Sequence, residues 1–244
     1  MNVLILGATS AIAHEAARCF ARDGATLFLV ARNSAKLETV ACDLKVYGAK
    51  QVDTYVLDFT EYEKHQAMFE AALNALGSLD MLLIAHGVLS DQQRCELSVT
   101  ETLNSLETNA ISVIALLTLA ANYFEQQHKG CIAVISSVAG DRGRPSNYVY
   151  GTAKAALNAF TQGLRARMAK CGVSVVTIKP GFVDTPMTAQ QRKNPLYASA
   201  RAVGLGTYRA MLRGADVVYL PWFWRLMMFV VCAIPERIFK HLSL

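Results

Sequence analysis

Short apolar runs alternate along the chain with longer segments in which apolar residues recur every three or four positions. Runs of four to six apolar residues indicate strands buried on both faces, and the longer period indicates helices with one buried side. The predicted strands are residues 3–6, 26–30, 52–57, 81–85, 131–136, 173–178 and 217–220. The predicted helices are residues 11–22, 34–47, 62–76, about 100–127 and 149–170.

Strands that alternate with helices indicate a doubly wound parallel sheet, here of about seven strands, with helices on both faces. We find no polar linker that would divide residues 1–244, so a single domain is expected. Residues 185–214 form a loop-rich insertion before the last strand. Ligands of such sheets bind at the carboxyl ends of the strands, so we predict that this insertion is a substrate lid.

Charge is distributed unevenly along the chain. Residues 1–141 hold 9 Lys and Arg against 16 Asp and Glu, whereas residues 142–244 hold 15 against 3. The basic half is either a solvated surface or a region that meets phosphate, a lipid headgroup or nucleic acid. No nucleic-acid-binding motif accompanies the charge, so we expect no nucleic-acid partner.

The six cysteines are scattered without a Cys-x-x-Cys pair, and the five histidines show no metal-ligand spacing. We therefore expect reduced thiols, no metal site and a cytoplasmic location. Met1 and Asn2 lead directly into the first strand, without the features of a secretory leader.

The first strand–helix turn contains Gly7, Thr9, Ser10, Ala11 and Ile12. Such a turn can bring backbone N–H groups and a helix N-terminus close to a pyrophosphate. Only Gly7 keeps the usual glycine, so on this motif alone an ordinary turn is equally acceptable.

The second strand ends in Ala31 and Arg32. A dinucleotide-binding strand that prefers NAD often ends in an acid that bonds the ribose 2′-hydroxyl. A guanidinium beside a neutral residue instead suits a 2′-phosphate. The pattern favours NADP over NAD, although a solvated arginine at a strand end is also common.

Tyr150 and Lys154 are four residues apart on a predicted helix and therefore share one face. An ammonium beside a phenol favours the phenolate, so we expect Lys154 to lower the pKa of Tyr150 toward the range of an acid–base catalyst. Ser137 precedes Tyr150 by thirteen residues, at the end of the fifth predicted strand.

With these motifs in this order, together with Asn109 and Pro180-Gly181, the chain resembles the short-chain dehydrogenase/reductase family. The resemblance implies a Rossmann-type sheet and a nicotinamide cofactor. It implies that Tyr150 exchanges a proton with the substrate oxygen, Ser137 positions that oxygen, Lys154 holds the nicotinamide ribose, and Asn109 supports a water relay. The cofactor-binding residues that it implies are Gly7, Thr9, Ser10, Ala11, Ile12, Arg32, Asp58, Phe59, Ala85, His86, Gly87, Tyr150, Lys154, Pro180, Gly181, Val183 and Thr185.

The sequence departs from the family pattern after the fourth strand, where Asn-Asn-Ala-Gly is usual and Ile84-Ala85-His86-Gly87 stands here. His86 could replace an asparagine, touch the cofactor, or be an interior histidine with its hydrogen bonds satisfied.

From Ser137 onward the chain is similar to bacterial reductases of decaprenylphosphoryl-2-keto-pentose. The similarity implies NADPH-dependent reduction of a keto-sugar on a lipid phosphate, and a generic carbonyl or lipid-ketone reductase is the alternative. A further alternative is an NADP-binding sensor or scaffold without catalysis. The charged loop residues that could bind a substrate phosphate are Arg142, Arg144, Arg192 and Lys193.

The tail, residues 217–244, contains a segment that is apolar on nearly every side at helical spacing. Pro221 and Arg225 argue against a membrane span. We expect this segment either to pack on another subunit of a homodimer or homotetramer, or to lie peripherally on the inner face of the membrane.

Overall fold

The structure, a computed structural model, describes residues 1–242, so Ser243 and Leu244 of the predicted tail lie outside the described residues. The strands are β1 (Asn2–Leu6), β2 (Thr26–Ala31), β3 (Gln51–Val56), β4 (Met81–Ile84), β5 (Cys131–Ile135), β6 (Ser174–Pro180), β7 (Val183–Asp184), β8 (Ala198–Ser199) and β9 (Val217–Leu220). Seven of them form one parallel sheet in the order β3-β2-β1-β4-β5-β6-β9, and β7 pairs with β8 separately.

The α-helices are α1 (Ala11–Arg22), α2 (Ser34–Val46), α3 (His65–Leu76), α4 (Gln92–Leu97), α5 (Val99–Leu106), α6 (Ser112–Gln127), α7 (Tyr148–Met168), α8 (Ala200–Leu212), α9 (Phe223–Ala233) and α10 (Glu236–Phe239). The order of the large sheet reverses direction between β1 and β4. In a doubly wound sheet this is the position where ligands bind. The predicted α/β fold, with seven strands in a Rossmann-type arrangement, is therefore confirmed.

The side chains of each strand alternate between two separate cores. In β1, Leu4 and Leu6 pack toward α3, α6 and α7, whereas Val3 and Ile5 pack toward α1, α2 and α8. All four are almost completely buried, as the unbroken apolar run predicts for a central parallel strand. The predicted functional side chains consequently come from the loops and helices that follow the carboxyl ends of the strands.

The segment predicted as one helix over about residues 100–127 is helical from Val99 to Gln127, but Glu107–Ile111 forms a π-helical turn within it. This is the one described helix that is long and apolar enough to cross a membrane. Its buried side, which includes Leu117 and Phe124, packs on the sheet, so it is a core helix.

The predicted lid is only partly a loop, because α8 occupies its second half. Gly204 of α8 lies directly against α1, where a Cβ would come within 2.5 Å of the Glu15 Cβ and 2.8 Å of the Ala16 nitrogen. Val203 and Met211 are buried on the same side of α8. Residues 200–212 therefore belong to the helical layer, and the predicted lid could include only residues 185–199 of the insertion.

The tail forms α9 and α10, and the side chain of Arg142 binds it through hydrogen bonds and an ion pair. Nη1 of Arg142 donates hydrogen bonds to the carbonyl oxygens of Val231 at 2.7 Å and Ile234 at 2.5 Å, at the end of α9. Nη2 of the same side chain pairs with Glu236 at 2.9 Å, and the guanidinium lies 3.7 Å from the centre of the Phe239 ring. Arg142 therefore holds the tail against the domain.

The contact of α8 with α1 gives a test of the packing. We expect Gly204→Ala to lower the free energy of unfolding by about 1–3 kcal/mol, because the added methyl overlaps the backbone of α1. The matched control is Gly163→Ala in α7, where a Cβ meets no atom within 4 Å. Alanine there should leave stability unchanged or raise it by up to about 1 kcal/mol. Urea denaturation measures both, and equal effects of the two substitutions would contradict this packing.

Candidate active site

Two glycines allow the turn after β5 to lie directly against α7. A Cβ on Gly140 would lie 2.5 Å from the carbonyl carbon of Lys154, and a Cβ on Gly151 would lie 2.9 Å from the carbonyl oxygen of Ala139. Any larger residue at these positions would separate the two backbones. Ser137 immediately precedes the turn, so this contact brings its hydroxyl to the first turns of α7.

Hydrogen bonds join the end of β5 to α7 at successive residues. The buried Ser136 hydroxyl donates to Asn158 Oδ1 at 2.8 Å and approaches the Lys154 carbonyl oxygen at 3.3 Å. The Lys154 ammonium in turn donates to the carbonyl oxygen of Ile135 at 3.1 Å. The relative position of strand and helix is therefore determined by buried polar contacts as well as by the glycines.

Tyr150, Ser137 and Lys154 meet at this junction. The Ser137 hydroxyl lies close enough to the Tyr150 phenol to affect its pKa, and Lys154 Nζ lies 5.5 Å from the centre of the Tyr150 ring. Ser137 Oγ also accepts a hydrogen bond from the Ala139 N–H at 3.1 Å. The Lys154 side chain is almost completely buried.

The pKa of Tyr150 differs from the expectation. Burial raises it to about 12, and the Ser137 hydroxyl opposes this shift only in part. Burial also lowers the pKa of Lys154 to about 8. The prediction that the pKa of Tyr150 is lowered is therefore wrong here, because burial destabilises the charged phenolate. At neutral pH the phenol holds its proton and can donate it.

Asn109 lies behind these residues, in the π-helical turn. Its Oδ1 accepts a hydrogen bond from the Val88 N–H at 2.8 Å, and its Nδ2 donates to the Ser105 carbonyl oxygen at 2.9 Å. A Cβ on Gly87 would lie 2.8 Å from the same Oδ1 and 3.7 Å from Lys154 Nζ. The Asn109 amide therefore fixes the loop after β4 beside the lysine, and its part in a water relay stays a prediction.

The predicted site residues surround a cleft of about 480 Å³ at the carboxyl ends of the strands. Every predicted catalytic and cofactor-binding residue lines it except Asn109, which is completely buried. Lining residues that the sequence analysis did not single out include Lys36, Asn147, Phe182, Met187 and Gln191. Within residues 1–242, no three His, Cys, Asp or Glu side chains lie close enough together to hold a metal ion.

The end of the cleft at β1 has the features of a dinucleotide site. Gly7 has a φ of +84°, and a Cβ there would lie 2.4 Å from the His86 nitrogen, so only glycine fits. Beyond this turn, α1 begins without a side-chain cap on its N–H groups and without an acidic residue in its first turn. A pyrophosphate would satisfy these N–H groups and is favoured by the helix dipole.

His86 also has an unused polar atom in this part of the cleft. Its ring stacks on Phe59 at 4.1 Å, and its Nε2 lies 3.0 Å from Ser112 Oγ. The Ser112 hydroxyl itself donates to the Thr108 carbonyl oxygen, so we assign the proton to His86 Nε2. Burial lowers the pKa of His86 to about 3, and the neutral Nδ1 is buried without a hydrogen-bond partner in the part of the chain that the structure describes. A hydroxyl of a bound nucleotide would satisfy Nδ1, so these residues fit a nicotinamide dinucleotide.

Arg32 lies at the outer edge of the cleft, 3.9 Å from Asp58. Both side chains are well exposed, so this ion pair is weak and leaves the guanidinium able to turn to another anion. Lys36, at the start of α2, lines the same edge. It is four residues after Arg32, a spacing that could have identified it from the sequence.

The four basic residues considered for a substrate phosphate occupy different surroundings. Arg142 is engaged with the tail, Lys193 pairs with Asp184 at 2.6 Å, and Arg192 is exposed and does not line the cleft. Only Arg144 lines the cleft. That one or more of the four bind a substrate phosphate stays a prediction, and Arg144 is the residue placed to do so.

A family model for short chain dehydrogenases matches residues 1–196. The chain belongs to this family. An uncharacterized oxidoreductase of Streptomyces coelicolor is 35% identical over 246 residues, covering 99% of this chain and 95% of that protein. Another, from Mycobacterium tuberculosis strain H37Rv, is 34% identical over 240 residues, covering 98% of this chain and 96% of that protein.

The fold is similar to that of a variant of actinorhodin polyketide ketoreductase determined with NADPH. The TM-score is 0.82 at 23% identity, and the match covers 91% of this chain and 96% of the ketoreductase. Family membership and the arrangement of the cleft agree. This short chain dehydrogenase is an NAD(P)-dependent oxidoreductase that acts on CH–OH or C=O groups.

Proposed function

We propose that this enzyme reduces a ketone to an alcohol with NADPH, and that Tyr150 is its proton donor. The observation that carries the proposal is the meeting of Tyr150, Ser137 and Lys154 on the wall of a cleft whose other end suits a dinucleotide. The high pKa of Tyr150 suits the reducing direction, because a protonated phenol is the form that gives a proton to the developing alkoxide.

In the proposed reduction, Ser137, Tyr150 and Lys154 have separate roles. The nicotinamide cofactor supplies the hydride when it is bound. Ser137 donates a hydrogen bond to the substrate carbonyl oxygen and holds it beside the Tyr150 hydroxyl. Tyr150 transfers its proton to that oxygen as negative charge develops. Lys154, whose pKa of about 8 leaves it mostly cationic at neutral pH, stabilises the phenolate that remains until solvent returns the proton.

Replacing the phenol tests this assignment. We expect Tyr150→Phe to lower kcat for ketone reduction by about 10²–10⁴-fold, the usual contribution of general acid–base catalysis. The Kd for NADPH, measured by fluorescence, should stay within about twofold, because the ring remains. Tyr148→Phe is the matched control on the same helix, since Tyr148 is exposed and does not line the cleft. Equal rates for Tyr150→Phe and the wild type would refute the assignment.

The preference for NADPH is proposed from the outer edge of the cleft. Arg32 and Lys36 present two positive charges there, and Asp58 is the single carboxylate among the described lining residues. Asp58 accepts hydrogen bonds from the N–H and the hydroxyl of Thr60, at 3.1 Å and 2.9 Å. Those contacts hold its carboxylate in place while the mobile guanidinium and ammonium can reach a 2′-phosphate.

Charge removal distinguishes the two cofactors. In the double variant Arg32→Gln, Lys36→Gln, we expect KM for NADPH to rise by about 10–100-fold, while KM for NADH changes by less than about twofold. Lys50→Gln is the control, because Lys50 is exposed just before β3, at the opposite end of the sheet from the cleft. Similar changes in both KM values would contradict a 2′-phosphate site.

For the substrate, we propose a keto-pentose attached to a polyprenyl phosphate. The position of α9 supports a lipid-linked substrate. Its inner side chains, Trp224 and Met228, pack on Val138 and Phe182, which line the cleft beside the catalytic residues. A Cβ on Gly181 would overlap the Trp224 indole, so α9 is in direct contact with the wall of the cleft.

The outer face of α9 is proposed to lie on a membrane that contains anionic lipids. It exposes Trp222, Leu226, Phe229 and Val230 in one helical row. The exposed cations nearby in the chain are Arg225, Arg237 and Lys240. Eleven residues of helix span about 16 Å, roughly half of a hydrocarbon core of about 30 Å, so this helix would lie in the interface rather than cross it. We propose the inner face of the cytoplasmic membrane as the location.

Vesicle binding tests this surface. We expect wild-type protein to sediment with phosphatidylglycerol vesicles, and the double variant Leu226→Glu, Phe229→Glu to lose at least about 90% of that binding, because charge opposes burial in lipid. Leu97→Glu is the control, since Leu97 is 90% exposed elsewhere. If the double variant binds vesicles normally but changes from a dimer or tetramer to a monomer in ultracentrifugation, α9 is a subunit interface instead.

A panel of ketones identifies the substrate class. Oxidation of NADPH by the lipid-linked keto-pentose, but not by simple ketones, supports the proposal. Turnover confined to steroid, polyketide or other simple ketones would indicate a generic carbonyl reductase. Tight NADPH binding without turnover of any ketone would indicate a cofactor sensor.

A further inference from the structure

We propose that Arg144 and Asn147 form a substrate subsite that binds a phosphate ester and an adjacent hydroxyl group. This inference rests on the proposed reduction, because it names what the substrate carries beside its ketone. Both residues line the cleft that Tyr150 lines, Arg144 from the loop before α7 and Asn147 from the N-cap of α7.

Arg144 is a cation without a matching anion. Its Nε is buried and has no hydrogen-bond partner, and no carboxylate within residues 1–242 lies within 4.0 Å of its guanidinium. Burial lowers its pKa, and the more distant charge of Asp141 compensates only in part. A partly desolvated guanidinium is costly to leave unpaired, so an anion entering the cleft would gain a strong interaction.

The neighbouring charges are already paired, which sets Arg144 apart. Asp141, three residues earlier, accepts hydrogen bonds from Lys179 at 2.6 Å, Tyr219 at 2.9 Å and Asn158 at 3.2 Å. Arg142 is held by the end of α9 and by Glu236. Arg144 therefore faces the cleft without an ion-pair partner among the described residues, whereas Asp141 and Arg142, shortly before it in the chain, are engaged in contacts that stabilise the fold.

Asn147 provides the second unused atom. It stands at the N-cap of α7, where an asparagine side chain normally accepts a hydrogen bond from the helix, but here it makes none. Its Oδ1 is buried and has no hydrogen-bond partner among the described residues 1–242. An acceptor in this position suits a substrate hydroxyl, and the pair of residues therefore suits a hydroxylated phosphate ester such as a keto-sugar phosphate.

The spacing along α7 relates this subsite to the reacting carbonyl. Asn147 precedes Tyr150 by three residues, which is about one helical turn. A substrate whose ketone meets Tyr150 would thus place a hydroxyl and an anionic group one turn away. Free sugar phosphates and lipid-linked phosphodiesters share this chemistry, and the experiment must distinguish them.

Binding can be measured without turnover. We expect calorimetry to detect binding of ethyl phosphate to NADPH-saturated protein, in which the cofactor occupies the other phosphate sites. Arg144→Gln should weaken this binding by at least about tenfold, and Arg144→Lys by less, because lysine keeps the charge but loses the guanidinium geometry. Arg201→Gln is the matched control, since Arg201 is exposed on α8 and does not line the cleft.

Kinetics then separate substrate binding from a general structural effect. With a phosphorylated keto-pentose, Arg144→Gln should raise KM by about 10–100-fold. With the unphosphorylated sugar, KM and kcat should stay within about twofold. Asn147→Ala should raise KM for both sugars, because both carry the hydroxyl. Comparison of the free phosphate with the polyprenyl phosphodiester in detergent shows which source binds more tightly.

The outcomes are distinct from those for the proposed function. If Arg144→Gln melts at the wild-type temperature and leaves both ethyl phosphate binding and the phosphorylated sugar unaffected, the subsite is refuted even where ketones are reduced. If no ketone is reduced, the proposed function fails, and the calorimetric result alone still decides whether Arg144 binds phosphate. An equal rise in KM for the phosphorylated and the unphosphorylated sugar in Arg144→Gln would also contradict the phosphate subsite.

Discussion

The contact on which the site depends is the direct approach of the Val138–Gly140 turn to the backbone of α7. It requires the absence of a side chain at Gly140 and Gly151, since either Cβ would collide with the opposing backbone. Ser137 is carried by the turn and Tyr150 by the helix, so a displacement of about 1 Å would separate the proposed proton donor from the group that orients its substrate. Precise placement of this kind contributes strongly to catalysis.

Some polar groups of the cleft have hydrogen-bond partners within the protein, and others are buried without one. Ser136, Asn109 and Lys154 make hydrogen bonds within the protein that hold the proposed catalytic residues in place. His86 Nδ1 and Arg144 Nε are buried without a hydrogen-bond partner among residues 1–242. Because buried polar groups without partners cost free energy, these two atoms are where we propose that ligands bind, the dinucleotide at His86 and the substrate at Arg144.

Burial also shifts the pKa values of Tyr150 and Lys154, the two groups on which the proposed proton transfer depends. The environment that excludes water raises the pKa of Tyr150 and lowers that of Lys154. Both shifts have the same cause, since each group loses solvation in its charged form. The phenol therefore enters the reaction protonated, and the nearby ammonium is close to losing its own proton, an arrangement suited to reduction with rapid return of a proton.

The pattern of apolar and polar residues was sufficient to predict the doubly wound sheet, because strands buried on both faces must be apolar and the intervening helices must be amphipathic. The sequence also predicted that Ser137 follows β5 and that Tyr150 and Lys154 share one face of the next helix. The sequence did not predict the raised pKa of Tyr150, the hydrogen bonds of Arg142 with the tail, or the burial of α8 in the helical layer. Each of these depends on which distant segments pack together, as Arg142 meets Ile234 ninety-two residues later. Desolvation and ion pairing arise from that packing, and the local sequence pattern does not contain it.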